Sequence, residues 1–233
     1  MDPFGFVITR CVRSSETNRY WIECYRCIRK IYPDTPIVII DDASIMEYVT
    51  DFPVVNCRIV TSRHPGRGEL LPYVYLQEER WFELSVVLHD SVFINAPIPV
   101  DDVHTVSFLW DFTPCEQHRH TINKLITLIP DHAYLWDTYC EGKWFGCFGA
   151  MSVIRLEFLS KLPLSSLVDH ILCREDRCGF ERVFALLCIR EDPTIRDRSK
   201  SVYGDILKKR HWGYSYNDYL RDTYIPVKIW TGR

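Results

Sequence analysis

The sequence predicts an α/β protein built on a mixed, mainly parallel sheet flanked by helices, and three observations predict it. The segment Pro36-Ile37-Val38-Ile39-Ile40-Asp41-Asp42-Ala43-Ser44 holds four consecutive β-branched residues and ends in two carboxylates and a turn. Such a run is an interior strand covered on both faces. Leu84-Ser85-Val86-Val87-Leu88-His89-Asp90-Ser91 repeats the design. Strand, helix and strand follow one another through the first hundred residues, the order of crossover units with parallel neighbours.

The elements follow in order. Phe4 to Thr9 is a strand, and Arg10 to Ser15 a polar connection carrying Arg10 and Arg13. Tyr20, Trp21, Cys24, Ile28 and Ile31 recur at helical spacing over Glu16 to Ile31, with Ser14 or Ser15 as cap and Pro33 as stop. Cys57 to Thr61 is a third strand, leading into the basic turn Ser62-Arg63-His64-Pro65-Gly66-Arg67-Gly68 and a helix around Glu69 to Trp81. Leu84 to His89 is the fourth strand, Phe93 opens a short one, and Thr105 to Phe112 reads as a further strand. Helices are expected over Glu116 to Ile129, Arg155 to Lys161, Ser165 to Cys173 and Cys178 to Ile189. Between them, Trp144 to Val153 mixes small and large apolar residues, a sign of close backbone approach. The tail from Ser199 is polar and aromatic and ends in Val227-Lys228-Ile229-Trp230.

A chain of 233 residues that is 47% hydrophobic, 14% aromatic and 25% charged has the composition of one globular domain. A net charge of −3 argues against a nucleic-acid partner, which calls for a basic excess, and leaves small anionic ligands open. Met1-Asp2-Pro3-Phe4 is no signal peptide, and no apolar run approaches the about 18 residues of a membrane span. The expectation is a soluble, unexported, cytoplasmic protein. The ten cysteines are scattered, and Cys24-x-x-Cys27 lies in a helical pattern without a second pair, so buried free thiols are expected rather than zinc.

Ligands of open α/β sheets gather at the carboxyl ends of the strands. Thr9, Arg10, Arg13, Asp41, Asp42, Asp90 and Ser91 fall there, and carboxylates at such an edge suit sugar hydroxyls or a cation. For Asp41 and Asp42 the competing role is a cap on a short helix through Tyr48; Asp41, directly after the strand, is the one expected to reach a ligand.

Taken together, the strand ending in Thr9-Arg10, the Asp41-Asp42-Ala43-Ser44 edge, the basic glycine loop and the strand delivering Asp90 resemble the nucleotide-sugar half of GT-A glycosyltransferases of the family 2 type. The segment Gly146 to Ser152, followed by Glu175-Asp176 and Glu181-Arg182, is similar to the acceptor half of inverting members. The resemblance covers roughly residues 4 to 190, with 1–100 as donor half and 101–233 as acceptor half and tail of a single domain. Gly66-Arg67-Gly68-Glu69-Leu70-Leu71-Pro72-Tyr73 and the terminal Trp230-Thr231-Gly232-Arg233 are most similar to small members encoded by large DNA viruses, which would place the protein in host cytoplasm.

The resemblance implies a nucleotide-diphosphate donor, a UDP-sugar being favoured, and a glycan or glycoprotein acceptor. It implies donor contacts from Thr9, Arg10, Arg13, Asp41, Asp42, Arg63, Arg67, Gly68, Asp90 and Ser91. It also implies Mn²⁺ or Mg²⁺ at Asp90, although His89-Asp90-Ser91 departs from the family's aspartate, any residue, aspartate. Ser91 or a water, His211, or Arg63 and Arg67 in place of a metal would make up the difference. The catalytic base is expected among Asp176, Glu181 and Glu175, with Asp176 the best match to the family's Glu-Asp pair and Asp137 a further candidate. Trp136, Trp144, Tyr139, Trp212, Tyr214 and Tyr216 are candidate sugar platforms. A sugar-nucleotide nucleotidyltransferase and a noncatalytic carbohydrate-binding module with a degenerate metal site remain the alternatives. The first of these would want a glycine-rich turn after the first strand, and Thr9 to Ser15 contains no glycine.

Overall fold

The computed structural model describes residues 1–113, 117–196, 201–208, 211–221 and 226–229. Its centre is a six-stranded sheet. β1 (Asp2–Arg10), β2 (Ile37–Asp41), β3 (Cys57–Thr61) and β4 (Phe82–His89) run parallel in the order β3-β2-β1-β4. β9 (Ser152–Arg155) pairs antiparallel with β4, and β6 (Val106–Phe108) antiparallel with β9. Elements from both halves of the chain therefore share one sheet.

Alternation along the strands builds two cores. Phe6, Ile8, Ile37, Ile39, Val86 and Leu88 face α1 (Ser15–Ile31). Val7, Val38, Ile40 and Val87 face the other way, toward α2 (Leu71–Glu79), α3 (Arg119–Ile126), α4 (His132–Glu141), α5 (Leu156–Leu159) and α6 (Arg174–Glu191). With both faces covered, β2 and the core of β4 can be apolar throughout, which is why their runs read so plainly, whereas the edge strand β3 stays partly exposed.

α1 starts where Ser14 accepts the Thr17 N–H at 3.2 Å while Thr17 Oγ1 accepts the Ser14 N–H at 2.9 Å, a capping box with threonine in the acidic residue's usual place. The helix stops at Tyr32, which precedes Pro33. The expected helix over Glu69 to Trp81 divides into a 3-10 turn (Gly68–Leu70) and α2, because Pro72 starts a new first turn. The strand expected over Thr105 to Phe112 breaks at Leu109 and Trp110 into β6 and β7 (Asp111–Phe112), and β7 pairs with β8 (Gly146–Cys147).

The span Ser165 to Cys173 holds only a 3-10 turn (Ser165–Leu167), and α6 begins earlier than expected, at Arg174. β5 (Val92–Phe93) sits in a small second sheet of order β10-β11-β5, formed with β10 (Trp212–Tyr214) and β11 (Val227–Ile229); α7 (Tyr216–Arg221) lies between these in sequence. Glu116, where the third expected helix was to begin, Ser199 and Trp230 to Arg233 lie outside the described residues. Among the described residues no helix is long and apolar enough to cross a membrane, and the cysteines are free thiols.

Candidate functional site

β2 and β3 extend the sheet to one side of β1 while β4 lies on the other, so the strand order reverses between β1 and β4. A crevice at such a reversal is where open α/β sheets place their ligands. Here it is closed by two backbone links. The Asp90 N–H donates to the Thr9 carbonyl at 3.0 Å, and the Cys11 N–H donates to Asp90 Oδ2 at 3.0 Å. Asp90 and Ser91 are buried at this seam. Thr9 pairs with His89 across the seam, and its buried hydroxyl has no hydrogen-bond partner.

The two adjacent aspartates turn to opposite faces. Asp41 receives Arg10 Nε at 2.7 Å and the Ser44 N–H at 3.0 Å, and the Arg10 guanidinium lies 4.9 Å over the Trp21 ring. Both side chains are thus committed to the α1 face, and Asp41, expected to reach a ligand, is the one that turns the chain. Asp42 points to the opposite face and holds the 62–68 loop, accepting the Gly66 N–H and, at 3.0 Å, the Gly68 N–H. Burial pushes the Asp42 carboxyl up, against these two N–H donors and the charges of Arg177 and Arg13. Gly68 has a φ of +46°, and a Cβ there would stand 2.5 Å from Arg177 Cδ. A side chain at this position would strain the backbone and displace the end of Arg177.

Beside this loop, α6 and the 3-10 turn Gly68–Leu70 bring two carboxylates together. Glu69 pairs with Arg177 Nε at 3.2 Å, and the same arginine donates to the Gly66 carbonyl at 3.1 Å. Burial raises the Glu69 carboxyl. Glu181 accepts the Gly149 N–H, and its carboxyl is pushed up to about 8, first by burial and then by the charge of Glu69. Its side chain is 14% exposed and lies 3.8 Å from Arg182 Nη1, whose charge acts in the opposite direction. Gly149 in turn lies against His89, whose Cε1 would stand 3.0 Å from a Cβ there. Glu181 is therefore connected, through one loop, to the seam at β4.

Lys228 completes the cluster. β11 carries it alongside β5, and its ammonium donates to Ser91 Oγ and lies 3.2 Å from His89 Nδ1. The residue is 8% exposed. Sequence reasoning missed Lys228, Glu69 and Arg177. For Lys228 a signal was present: a lysine between Val227 and Ile229 in a strand-like triplet is a charge in a place that demands partners.

Other expected site residues are engaged elsewhere. Asp176 is the third residue of α6 and closes a capping box: it accepts the Leu172 N–H at 3.0 Å, the Cys173 N–H at 3.2 Å and Lys124 Nζ at 3.0 Å. Desolvation pushes its carboxyl up, but these donors together hold it below the usual carboxylate range. Glu175 is exposed and bonds Thr121 Oγ1 at 3.3 Å. Asp137 is exposed on α4. Arg63 pairs with Glu78 on α2 and stacks on Tyr75, and Arg67 donates to the carbonyls of Val168 and Pro65, fastening the loop. Arg13 is exposed near Asp42.

The residues at the seam do not fit the divalent cation that the resemblance implies. The His211 ring is buried, accepts Trp110 Nε1 at 2.8 Å through Nδ1 and stands edge-on to that indole. Ser91 Oγ and His89 Nδ1, the donors flanking Asp90, face an ammonium instead. Among the described residues, no three His, Cys, Asp or Glu side chains converge as a metal site would require.

Of the candidate aromatic platforms, Trp144 is buried and donates to the Tyr139 carbonyl, Trp136 stacks on Tyr139, and Tyr216 packs against Tyr20 and Phe93. Trp212, 42% exposed, and Tyr214 line an open cleft of about 530 Å³ together with Leu207, Asp218 and Arg221. The Trp212 ring stands edge-on to Phe148, the neighbour of Gly149, with centroids 6.4 Å apart.

No family model and no curated protein sequence matches this chain. Among solved structures, it is similar to the S. aureus protein TarS at 13% identity, covering 81% of this chain and 34% of that one, with a TM-score of 0.45. It is similar to the mannosyltransferase Ktr4p of S. cerevisiae at 11% identity, covering 81% and 64%, with a TM-score of 0.46. The galactosyltransferase LgtC, solved with donor and acceptor sugar analogues, matches at 12% identity over 87% and 84%, with a TM-score of 0.41. The chain spans about a third of the length of TarS, and all three likenesses are distant ones.

Proposed function

We propose that this protein transfers a sugar from a nucleotide-diphosphate donor, a UDP-sugar being favoured, to a hydroxyl of a glycan or glycoprotein, with Glu181 as the base. One observation carries the reading: a carboxyl raised to about 8 is joined through Gly149 to the crevice at the strand reversal. A group that takes a proton near neutral pH and gives it up afterwards is what transfer to a hydroxyl requires.

In the proposed step the anomeric carbon's bond to the β-phosphate oxygen breaks, and its electron pair leaves on the nucleoside diphosphate. The acceptor oxygen forms the new bond from the opposite face and loses its proton to Glu181, which inverts the anomeric centre. Thr9, with its unpartnered buried hydroxyl at the seam, supports binding of a nucleotide here. The cleft at Trp212 supports an acceptor site, since a partly exposed indole offers a sugar ring an apolar face.

Thermal-shift binding of UDP, GDP, CDP and ADP, each with EDTA, Mg²⁺ or Mn²⁺, tests the donor half of this reading. A selective rise in melting temperature with one nucleotide, followed by turnover of the matching sugar donor, is the expected result. No shift with any nucleotide would favour a noncatalytic carbohydrate-binding module.

A further inference from the structure

We infer that Lys228 is the resident cation of the donor site, occupying with its ammonium the place against the donor's diphosphate that a divalent metal ion would otherwise hold. This rests on the transferase reading above and adds to it the identity of the group that receives the leaving charge.

Lys228 is held on both sides of its backbone. Its own N–H donates to the His211 carbonyl at 2.9 Å, and the next N–H, of Ile229, donates to the Ser91 carbonyl at 2.9 Å. These bonds leave the side chain directed at the two residues that flank Asp90. The ammonium thus meets a ring nitrogen of His89 and the hydroxyl of Ser91. The charge of Lys228 also acts on Glu69 and Glu181, lowering both carboxyls, so the lysine stands within electrostatic range of that acidic pair.

A hard divalent cation needs several oxygen ligands at close range. Here one of the oxygens it would use is already bonded to a positively charged nitrogen, and that nitrogen would repel the ion directly. An ammonium with three donors suits the non-bridging oxygens of a phosphate as a point charge. As the anomeric bond breaks, the pair of electrons left on the β-phosphate oxygen is balanced by this fixed charge.

The test is calorimetric titration of the whole chain with UDP, GDP, CDP and ADP and with the four parent nucleosides, in EDTA and in Mn²⁺ or Mg²⁺. The wild type is compared with Lys228→Gln and Lys228→Met, whose folding is checked by near-UV circular dichroism. The expected result is that one diphosphate binds in EDTA, that metal changes its affinity by less than about threefold, and that both variants lose at least about tenfold for the diphosphate but not for the nucleoside. Binding that requires metal would overturn the role of Lys228 while leaving the transferase reading in place. So would variants that bind the diphosphate like wild type. No binding of any nucleotide by wild type under any condition would overturn both. Should neither variant fold, the metal dependence of the wild type decides.

Discussion

Strand alternation determines which of two adjacent aspartates meets Arg10 and which meets the 62–68 loop. Ile37 and Ile39 face α1, so Asp41 does too, and it finds Arg10 and Trp21 there. Asp42 falls on the other face, with the loop. That parity was legible in the apolar run, whereas proximity to the strand end pointed to Asp41 as the ligand contact without showing that Arg10 and the Ser44 N–H engage it. The carboxylates of α6 divide in the same manner. Asp176 lies in the first turn, where exposed N–H groups draw it into a cap, and Glu181 lies where α6 passes the crevice. Asp176→Ala should cost ~1–2 kcal/mol of stability in a denaturant titration, as lost caps do, with turnover retained by the folded fraction. Glu181→Gln should lower kcat by about 10²–10⁴-fold with donor affinity kept.

The raised Glu181 carboxyl has a signature in stability as well. The native state keeps a proton that the unfolded chain gives up in the ordinary carboxylate range, so this contribution is complete below that range. It is lost as pH rises through about 8. Melting temperature measured between about pH 5 and 9 should therefore fall more steeply for wild type than for Glu181→Gln, whose amide does not titrate; parallel curves would contradict the assignment.

At the scale of elements, the strands and α1 could be read because each carries its own period, cap and stop. The second half could not. β9 is a four-residue strand in a stretch that mixes sizes, and α4 begins after Asp131 at a φ of +57° without a side-chain cap. Their boundaries are set by packing on the sheet and on α6, which no local window contains. The 62–68 loop lies between these cases: its glycines announced a turn, but its attachment to Asp42, Val168 and Arg177 is purely tertiary. Gly68→Ala should force the loop away from Arg177 and destabilise the protein by ~1–3 kcal/mol, the usual cost of a strained backbone position. Weaker nucleotide binding should accompany it, and a variant that melts and binds like wild type would remove the loop from the site.

For the whole molecule, the fold class was readable early because the parallel strands come first and the inner ones are buried on both faces. The site was only partly readable, because its acidic and basic members are recruited from the loop after β3, from α6 and from β11. Such a site has to open for a ligand to enter, since Asp90, Ser91 and Lys228 are all buried. The 62–68 loop is the segment expected to respond. Limited trypsin cleavage after Arg63 or Arg67 should slow when a nucleoside diphosphate is bound, and an unchanged cleavage rate would mean that the loop takes no part in closure.

The route of the chain also sets a timetable. Lys228 is made 137 residues after Ser91, the residue it bonds. At about 5–20 residues per second of synthesis, the strand edge waits roughly 7–30 s for it. Through that interval the nascent domain can assemble its parallel strands, yet the acidic groups around the crevice lack their lysine. A ribosome that stops early would release a protein with its parallel strands in place and without the lysine that bonds Ser91.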